Sequence, residues 1–215
     1  YAKQRRELKF DPRGVASKSK AFTFNNQLLD NIFWSCASGL TIWTALEVLM
    51  MWGYANGHFP MMAFWDNPVW FLALFILIPH FESVHFYCIH RFLHWPPAYK
   101  RFHALHHRNV NIGPWSGLSM HPVEHLLYLS SVLIHCVIPS SPIHVLFHLF
   151  FLCLAAVTSH AGFEHLLAGK WRVLALGSFH HQLHHRYFNC NHGNTDVPMD
   201  DWFRSFDDGT GERLS

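Results

Sequence analysis

The sequence predicts an all-α integral membrane protein: about four transmembrane helices in two hairpins, with a histidine-rich cap on the cytoplasmic-type face. Three observations carry that prediction. Half of the 215 residues are hydrophobic and 16% aromatic while only 14% are charged, the balance of a chain that meets lipid more than water. The apolar residues concentrate in four stretches. Many of the 20 histidines recur in spaced clusters beyond the ends of those stretches.

Residues 1–30 read as a basic arm, with seven Lys or Arg before residue 21, suited to an anionic membrane surface. The chain starts at Tyr1, not at Met, so upstream sequence is expected. A membrane domain follows over 31–208. Its apolar stretches cover 32–54, 69–89, 123–138 and 143–158; roughly 20 apolar residues cross a bilayer, so the first two suffice and the last two need their flanks. Pro139-Ser140-Ser141-Pro142 is a turn between the latter pair, because proline cannot continue a helix. A short tail, 209–215, closes the chain. The acidic segment from Asp196 onward, with Trp202-Phe203-Arg204-Ser205-Phe206, reads either as a solvated tail or as a segment folding back on the site or the membrane.

Charge sets the sidedness. All 16 Lys and Arg lie before residue 21, between Arg91 and Arg108, or from Lys170 onward, and the connections 55–68 and 139–142 carry none. Retained cytoplasmic segments hold the Lys and Arg excess, so both termini and every histidine cluster are expected on the cytoplasmic-type face of a bacterial inner membrane or a eukaryotic organelle membrane.

Three clusters share one grammar: His90-x3-His94, His103-x2-His106-His107 and His181-x2-His184-His185. Residues three and four apart share a helix face, so each cluster aims its imidazoles at one spot, as a metal site requires. Imidazole suits iron, zinc, copper and nickel, and eight such ligands exceed what one ion accepts. Two metal ions are the economical reading. In Met120-His121-Pro122-Val123-Glu124-His125, Pro122 and Glu124 are typical of a helix start, so His121 and His125 read as capping residues or supports for ligands more than as ligands. His80 and His85 suit a substrate path or a bond to a neighbouring span. His144 and His148 suit hydrogen bonds between helices, and Glu47 and Glu82, carboxylates within spans, are functional candidates. The five cysteines are scattered and match neither a disulfide framework nor a zinc site.

The order HRFLH, HALHH, MHPVEH and HHQLHH, with a late NHGN turn, resembles the fatty acid hydroxylase and sterol desaturase superfamily of membrane di-iron oxygenases over roughly residues 70–208. The resemblance implies two iron ions, which zinc can displace on isolation, held by His90, His94, His103, His106, His107, His181, His184 and His185. It also implies a ligand from His160-Ala-Gly-Phe-Glu164-His165; His160 is the choice there, and His121, His125, Glu164, His165 and His180 are candidates for a ligand or a group supporting one. His192 stands where the family often has Tyr. The implied reaction is hydroxylation or desaturation of a lipid C–H bond with dioxygen, on a sterol, a fatty acyl chain or a related lipid.

No dinucleotide fingerprint, haem-attachment motif or iron–sulfur cysteine run is present, so electrons are expected from a separate donor protein. Arg91, Lys100, Arg101 and Arg108 would dock it, or bind lipid phosphates. Nothing points to nucleic acid, and the oligomeric state is open. Two other classes stay compatible with the sequence: a membrane zinc hydrolase or metal-binding protein, and a structural subunit of a larger membrane complex.

Overall fold

Asn26 starts the first helix, its side chain accepting the Leu29 N–H at 3.1 Å and so satisfying a backbone donor that would otherwise be orphaned. The structure is a computed structural model that describes Val15 and residues 18–168 and 171–210; most of the predicted basic arm's cations and most of the 209–215 tail lie outside the described residues. Helix α1, Gln27–Ala55, is interrupted by a π-helical turn at Ser35–Leu40. That wider turn turns Ser38 and Gly39 toward His125: Ser38 Oγ lies 2.8 Å from His125 Nδ1, and a Cβ on Gly39 would stand 2.9 Å from His125 Nε2.

Asn67 and Pro68 start α2, Pro68–Leu93, which carries Pro79 in its interior. Such a proline is tolerated in membrane helices, where neighbours and local adjustments satisfy the freed carbonyl. A helical segment at 96–107 follows, opened by Pro96 and wound as a π turn over Tyr99–His103; we call it α3. Next come α4, Pro122–Leu129, continued by a 3-10 turn at Ser130–Cys136, and α5, Pro142–Ser159. Among the described residues α1, α2 and α5 are long and apolar enough to cross a membrane. The remaining predicted stretch is also helical but changes winding at Ser130, whose Oγ bonds the Leu127 carbonyl at 2.7 Å, the local competition with backbone bonding to which serine is prone.

The fold is mostly helical and not all-α. His165–Ala168 and Trp171–Ala175 pair as antiparallel strands β1 and β2, since the Leu, Val and Trp content of these short runs favours strand and leaves no room for a helix. Helix α6, Ser178–Tyr187, and the short α7, Met199–Trp202, complete the chain. The segment after α7 folds back on α2: Phe203 stacks on Tyr87 at 5.4 Å between ring centroids, and Ser205 is buried.

The core lies where α1, α4 and α5 meet, around Met50, Tyr128, Val132, Val145, Leu149 and Leu152. Histidines stitch the spans away from the three clusters. His144 Nε2 donates to the Phe71 carbonyl (2.9 Å), His148 Nδ1 meets His135 Nε2 (3.3 Å), and His85 Nε2 meets Ser130 Oγ (3.0 Å). His80 bonds the Ile76 carbonyl of its own helix, and Glu47 takes the Trp43 indole N–H.

The loop before α4 packs directly on α5 at Gly117, where a Cβ would come within 2.1 Å of the Ala156 carbonyl oxygen and 3.1 Å of His160 Nδ1. Backbone cannot yield as a flexible side chain can. Gly117→Ala is expected to destabilise the protein by roughly 1–3 kcal/mol, read as a lowered thermal midpoint in detergent, and to disturb the orientation of His160.

Candidate metal centre

His90 and His94 are one helical turn apart where α2 ends, so both rings leave the helix on the same side. In α3 the π turn delivers His103, and the α-helical turn that follows delivers His106 and His107. His160 is the residue that ends α5, and α6 carries His181, His184 and His185. Eight of these nine side chains are buried, and His94 is intermediate.

The nine gather into two groups. In the first, ring nitrogens of His90, His94, His103, His107 and His184 all lie within 4.8 Å of one another; in the second, those of His106, His160, His181 and His185 do. The two HxxHH segments interlock across this division. His103 and His107, four apart, face the first group and His106 the second, whereas His181 and His185 face the second and His184 the first. Residues four apart in each segment thus face one group while the histidine three from the first faces the other, so neither segment aims all of its imidazoles at one spot as its spacing predicts. The groups adjoin: His107 and His185 stack with ring centroids 4.7 Å apart.

Within the groups Nε2 faces Nε2. The separations are 3.1 Å for His90–His103, 3.0 Å for His94–His184, 3.1 Å for His107–His184, 3.1 Å for His160–His185, 3.2 Å for His160–His181 and 3.1 Å for His181–His185. The opposite nitrogens of several rings are already committed. The Nδ1–H of His90 donates to the His192 carbonyl at 2.5 Å, that of His184 to the Cys190 carbonyl at 2.6 Å, and that of His160 to the Ala156 carbonyl at 2.8 Å. A carbonyl only accepts, so in these three neutral rings Nε2 holds a bare lone pair. Lone pairs converging from several sides in a buried space repel one another unless a cation lies between them. The donor set thus fits metal ions.

The electrostatics agree. Burial first, then repulsion among neighbouring imidazoles, pushes the pKa of His103, His107, His181, His184 and His185 well below the usual histidine range, and burial does the same for His106. His160 is pushed down to about 4, chiefly by burial. The neutral imidazole that results is the form that binds a metal.

Carboxylates support the rings from outside. Glu124 is buried on α4, and its Oε1 accepts from His103 Nδ1 at 2.7 Å, the arrangement that orients a metal-binding imidazole and raises its basicity. Asp200 holds the loop whose His192 carbonyl receives His90: it accepts the N–H of His192 (2.8 Å) and of Gly193 (2.7 Å) and the Ser205 hydroxyl (2.7 Å). Burial alone would raise its pKa, but the nearby His180 and His192 imidazoles and its bonds from the Ser205 hydroxyl and the Gly193 N–H outweigh that and hold it well below the carboxylate range. The same loop packs tightly at Gly193, where a Cβ would stand 3.0 Å from Asp200 Oδ2.

The other predicted candidates lie outside both groups. His121 Nδ1 caps α4 by accepting the Val123 N–H, and His125 bonds Ser38. Glu164 accepts the Phe179 N–H at the start of α6, His165 pairs in β1 with Ala175, and His180 sits 3.4 Å from Asp200. Sequence reasoning missed Asp200 and the carbonyls of Cys190 and His192. The only trace of them was an acidic residue soon after the His192-Gly193 turn, which is indistinguishable from a solvated tail until the chain folds back.

A cavity of about 410 Å³ borders both groups. Its wall includes His90, His103, His106, His160 and His181, and otherwise mostly apolar residues of α2, α5 and the β-hairpin. Replacing Glu124 by Gln, or Asp200 by Ala, is expected to weaken metal binding by roughly 10–100-fold without unfolding the protein, measured by chelator competition with circular dichroism in parallel.

The comparisons with known proteins agree with this geometry. The profile of the family described as fatty acid hydroxylase matches residues 71–205, a span containing all nine gathered histidines. A Delta(7)-sterol 5(6)-desaturase of Gibberella zeae is 32% identical over 157 residues, covering 71% of this chain and 48% of that protein. One from Aspergillus fumigatus is 31% identical, covering 63% of the chain and 49% of that protein, and one from Saccharomyces cerevisiae is 32% identical, covering 55% and 33%. The chain spans about half the length, or less, of these relatives. No solved structure matches it significantly. With its ordered histidine clusters brought to one centre and this match over most of its length, the chain belongs to the fatty acid hydroxylase family, within the superfamily that includes the sterol desaturases.

Proposed function

We propose that this protein is a membrane di-iron oxygenase that desaturates or hydroxylates a C–H bond of a lipid, with a sterol as the favoured substrate class. The observation that carries the reading is the pair of adjoining imidazole groups, five nitrogens and four, beside a largely apolar cavity. The five donors of the first group exceed the four of a closed zinc site, which favours iron over a structural zinc there. Iron bound there supplies dioxygen activation and removal of hydrogen from an unactivated carbon. His90, His94, His103, His107 and His184 would hold one ion and His106, His160, His181 and His185 the other. The chain's own task is to keep these imidazoles neutral and aimed, and to offer a lipid a dry channel to them. The sterol preference rests on the similarity to sterol 5(6)-desaturases.

Four membrane crossings fit the chain path. Gln27, at the start of α1, bonds Asn109 next to the histidine segment of α3 (2.9 Å), while α2 and α5 both end at the histidines. The chain must return to the far side between them. Helix α4 with its 3-10 continuation measures about 26 Å at 1.5 and 2.0 Å per residue, close to the thickness of a bilayer core, and Ser140 beyond it bridges to Met61 in the α1–α2 connection. The basic residues then put the histidine side on the cytoplasmic face. An electron-donor protein would dock there on the exposed Arg91, Lys100 and Arg101.

Protein purified in mild detergent is expected to contain about two irons per chain and to consume dioxygen after chemical reduction, with a hydroxylated or newly unsaturated lipid identified by mass spectrometry. His106→Ala and His184→Ala, one from each group, should each abolish turnover and lower the metal content; retention of both in either variant overturns the assignment. Charge reversal at Lys100 and Arg101 should raise the KM for a protein donor and leave chemically reduced turnover intact.

A further inference from the structure

Glu82 lies in the middle of a membrane helix, where a carboxylate is costly and marks function by default. It is 2% exposed and forms part of the cavity wall. A directional chain of hydrogen bonds holds it. The Ser83 hydroxyl donates to Asn194 Oδ1, and Asn194 Nδ2 donates to Glu82 Oε2 at 3.3 Å. Among the described residues no group bonds Glu82 Oε1. Asn194, Thr195 and Asp196, on the loop that continues from His192, line the cavity with it. The cavity is therefore not uniformly apolar: the metal centre is one polar region, and this carboxylate is another. Eight residues separate Glu82 from His90 on α2, which is about 12 Å along the axis, too far for Glu82 to reach the same ions.

A carboxylate oxygen without a bonded partner, in a mostly apolar cavity that it shares with Asn194, Thr195 and Asp196, is a recognition element. It rewards a ligand that brings a hydrogen-bond donor and penalises one that does not, because the buried polar atom is then left unmatched. From this juxtaposition we infer that Glu82, fixed by Asn194 and Ser83, binds the hydroxyl group of the lipid substrate and sets which carbon reaches the metal centre. The inference rests on the proposed lipid-oxidising role and adds the chemistry of substrate choice: a hydroxyl-bearing lipid, with the alcohol seated at Glu82 and the carbon skeleton extending toward His90 and His106. A hydroxyl suits Glu82 in either protonation state, since it both donates and accepts.

The test is equilibrium displacement, in nanodiscs, of a tritiated 3β-hydroxysterol from metal-loaded protein by the unlabelled sterol or by its 3-O-methyl ether. Wild type is expected to prefer the free alcohol by about tenfold or more, Glu82→Leu to bring the two within about twofold, and Glu82→Gln to retain part of the preference. Asn194→Ala, which leaves the carboxylate but frees its orientation, should fall between wild type and Glu82→Leu. Metal content and thermal midpoint, measured on each variant, separate lost recognition from lost folding; if Glu82→Leu does not fold, Asn194→Ala and Glu82→Gln carry the test. No preference in wild type, or an undiminished preference in folded Glu82→Leu, overturns the inference. Because the readout needs no turnover, absence of dioxygen consumption would count against the oxygenase reading alone.

Discussion

The structure depends on where nine imidazoles put their protons. Backbone carbonyls of Ala156, Cys190 and His192 take the Nδ1–H of His160, His184 and His90, and Glu124 takes that of His103. Each of these bonds turns an Nε2 lone pair inward. Lone pairs aimed at one another across about 3 Å are stable only around positive charge, and the burial that keeps the rings neutral also strengthens their attraction for a cation. Nine imidazoles, eight of them buried, thus form a region suited to positive charge.

Several features that look irregular serve this constraint. The π turn at Tyr99–His103 adds a residue to the helical turn before His106, and π turns are frequent at functional sites. The loop after α6 departs from regular structure at Phe188 and Asn191, both at positive φ. Asn191 tolerates that conformation and fastens the loop by bonding the carbonyls of His180 and Asp207. Asp200 then gathers the backbone donors of His192 and Gly193. A loop at the chain's end thus becomes a rigid wall, able to hold the carbonyls that orient His90 and His184.

The membrane helices contribute more than anchorage. Helices α2 and α5 present histidines at their ends and cavity wall along their length, so the cavity beside the histidine groups runs along the helices themselves. The β-hairpin between α5 and α6 closes one side of that cavity with Leu166 and Leu174, both largely exposed on the outer surface as well. Away from the three clusters, His135, His144 and His148 do a different job: His135 bonds His148 and Ser140, and His144 bonds the Phe71 carbonyl. One residue type therefore serves two purposes, and its neighbours decide which.

Much of this was legible in the chain. Apolar runs of sufficient length marked α1 and α2, and a shorter run that needed its flanks marked α5, since hydropathy and length are local properties. The spacing of the histidine clusters pointed toward a metal site, because helical periodicity puts residues four apart on one face; that residues three apart part between two groups was not legible in it. His160 came from resemblance, and the structure brings it to the other eight. Local pattern did not reveal the β-hairpin, whose strands are too short to carry a clear period, nor the change of winding at Ser130. Only the tertiary structure decided the division into five and four, the interlocking of the HALHH and HQLHH segments, and the meeting of His90 with the carbonyl of His192, far away in sequence on a loop that Asp200 fastens. The reason is physical: which residues share a face is set by bonds between near neighbours, whereas which faces meet, and which carbonyl a ring finds behind it, is set by how distant segments pack.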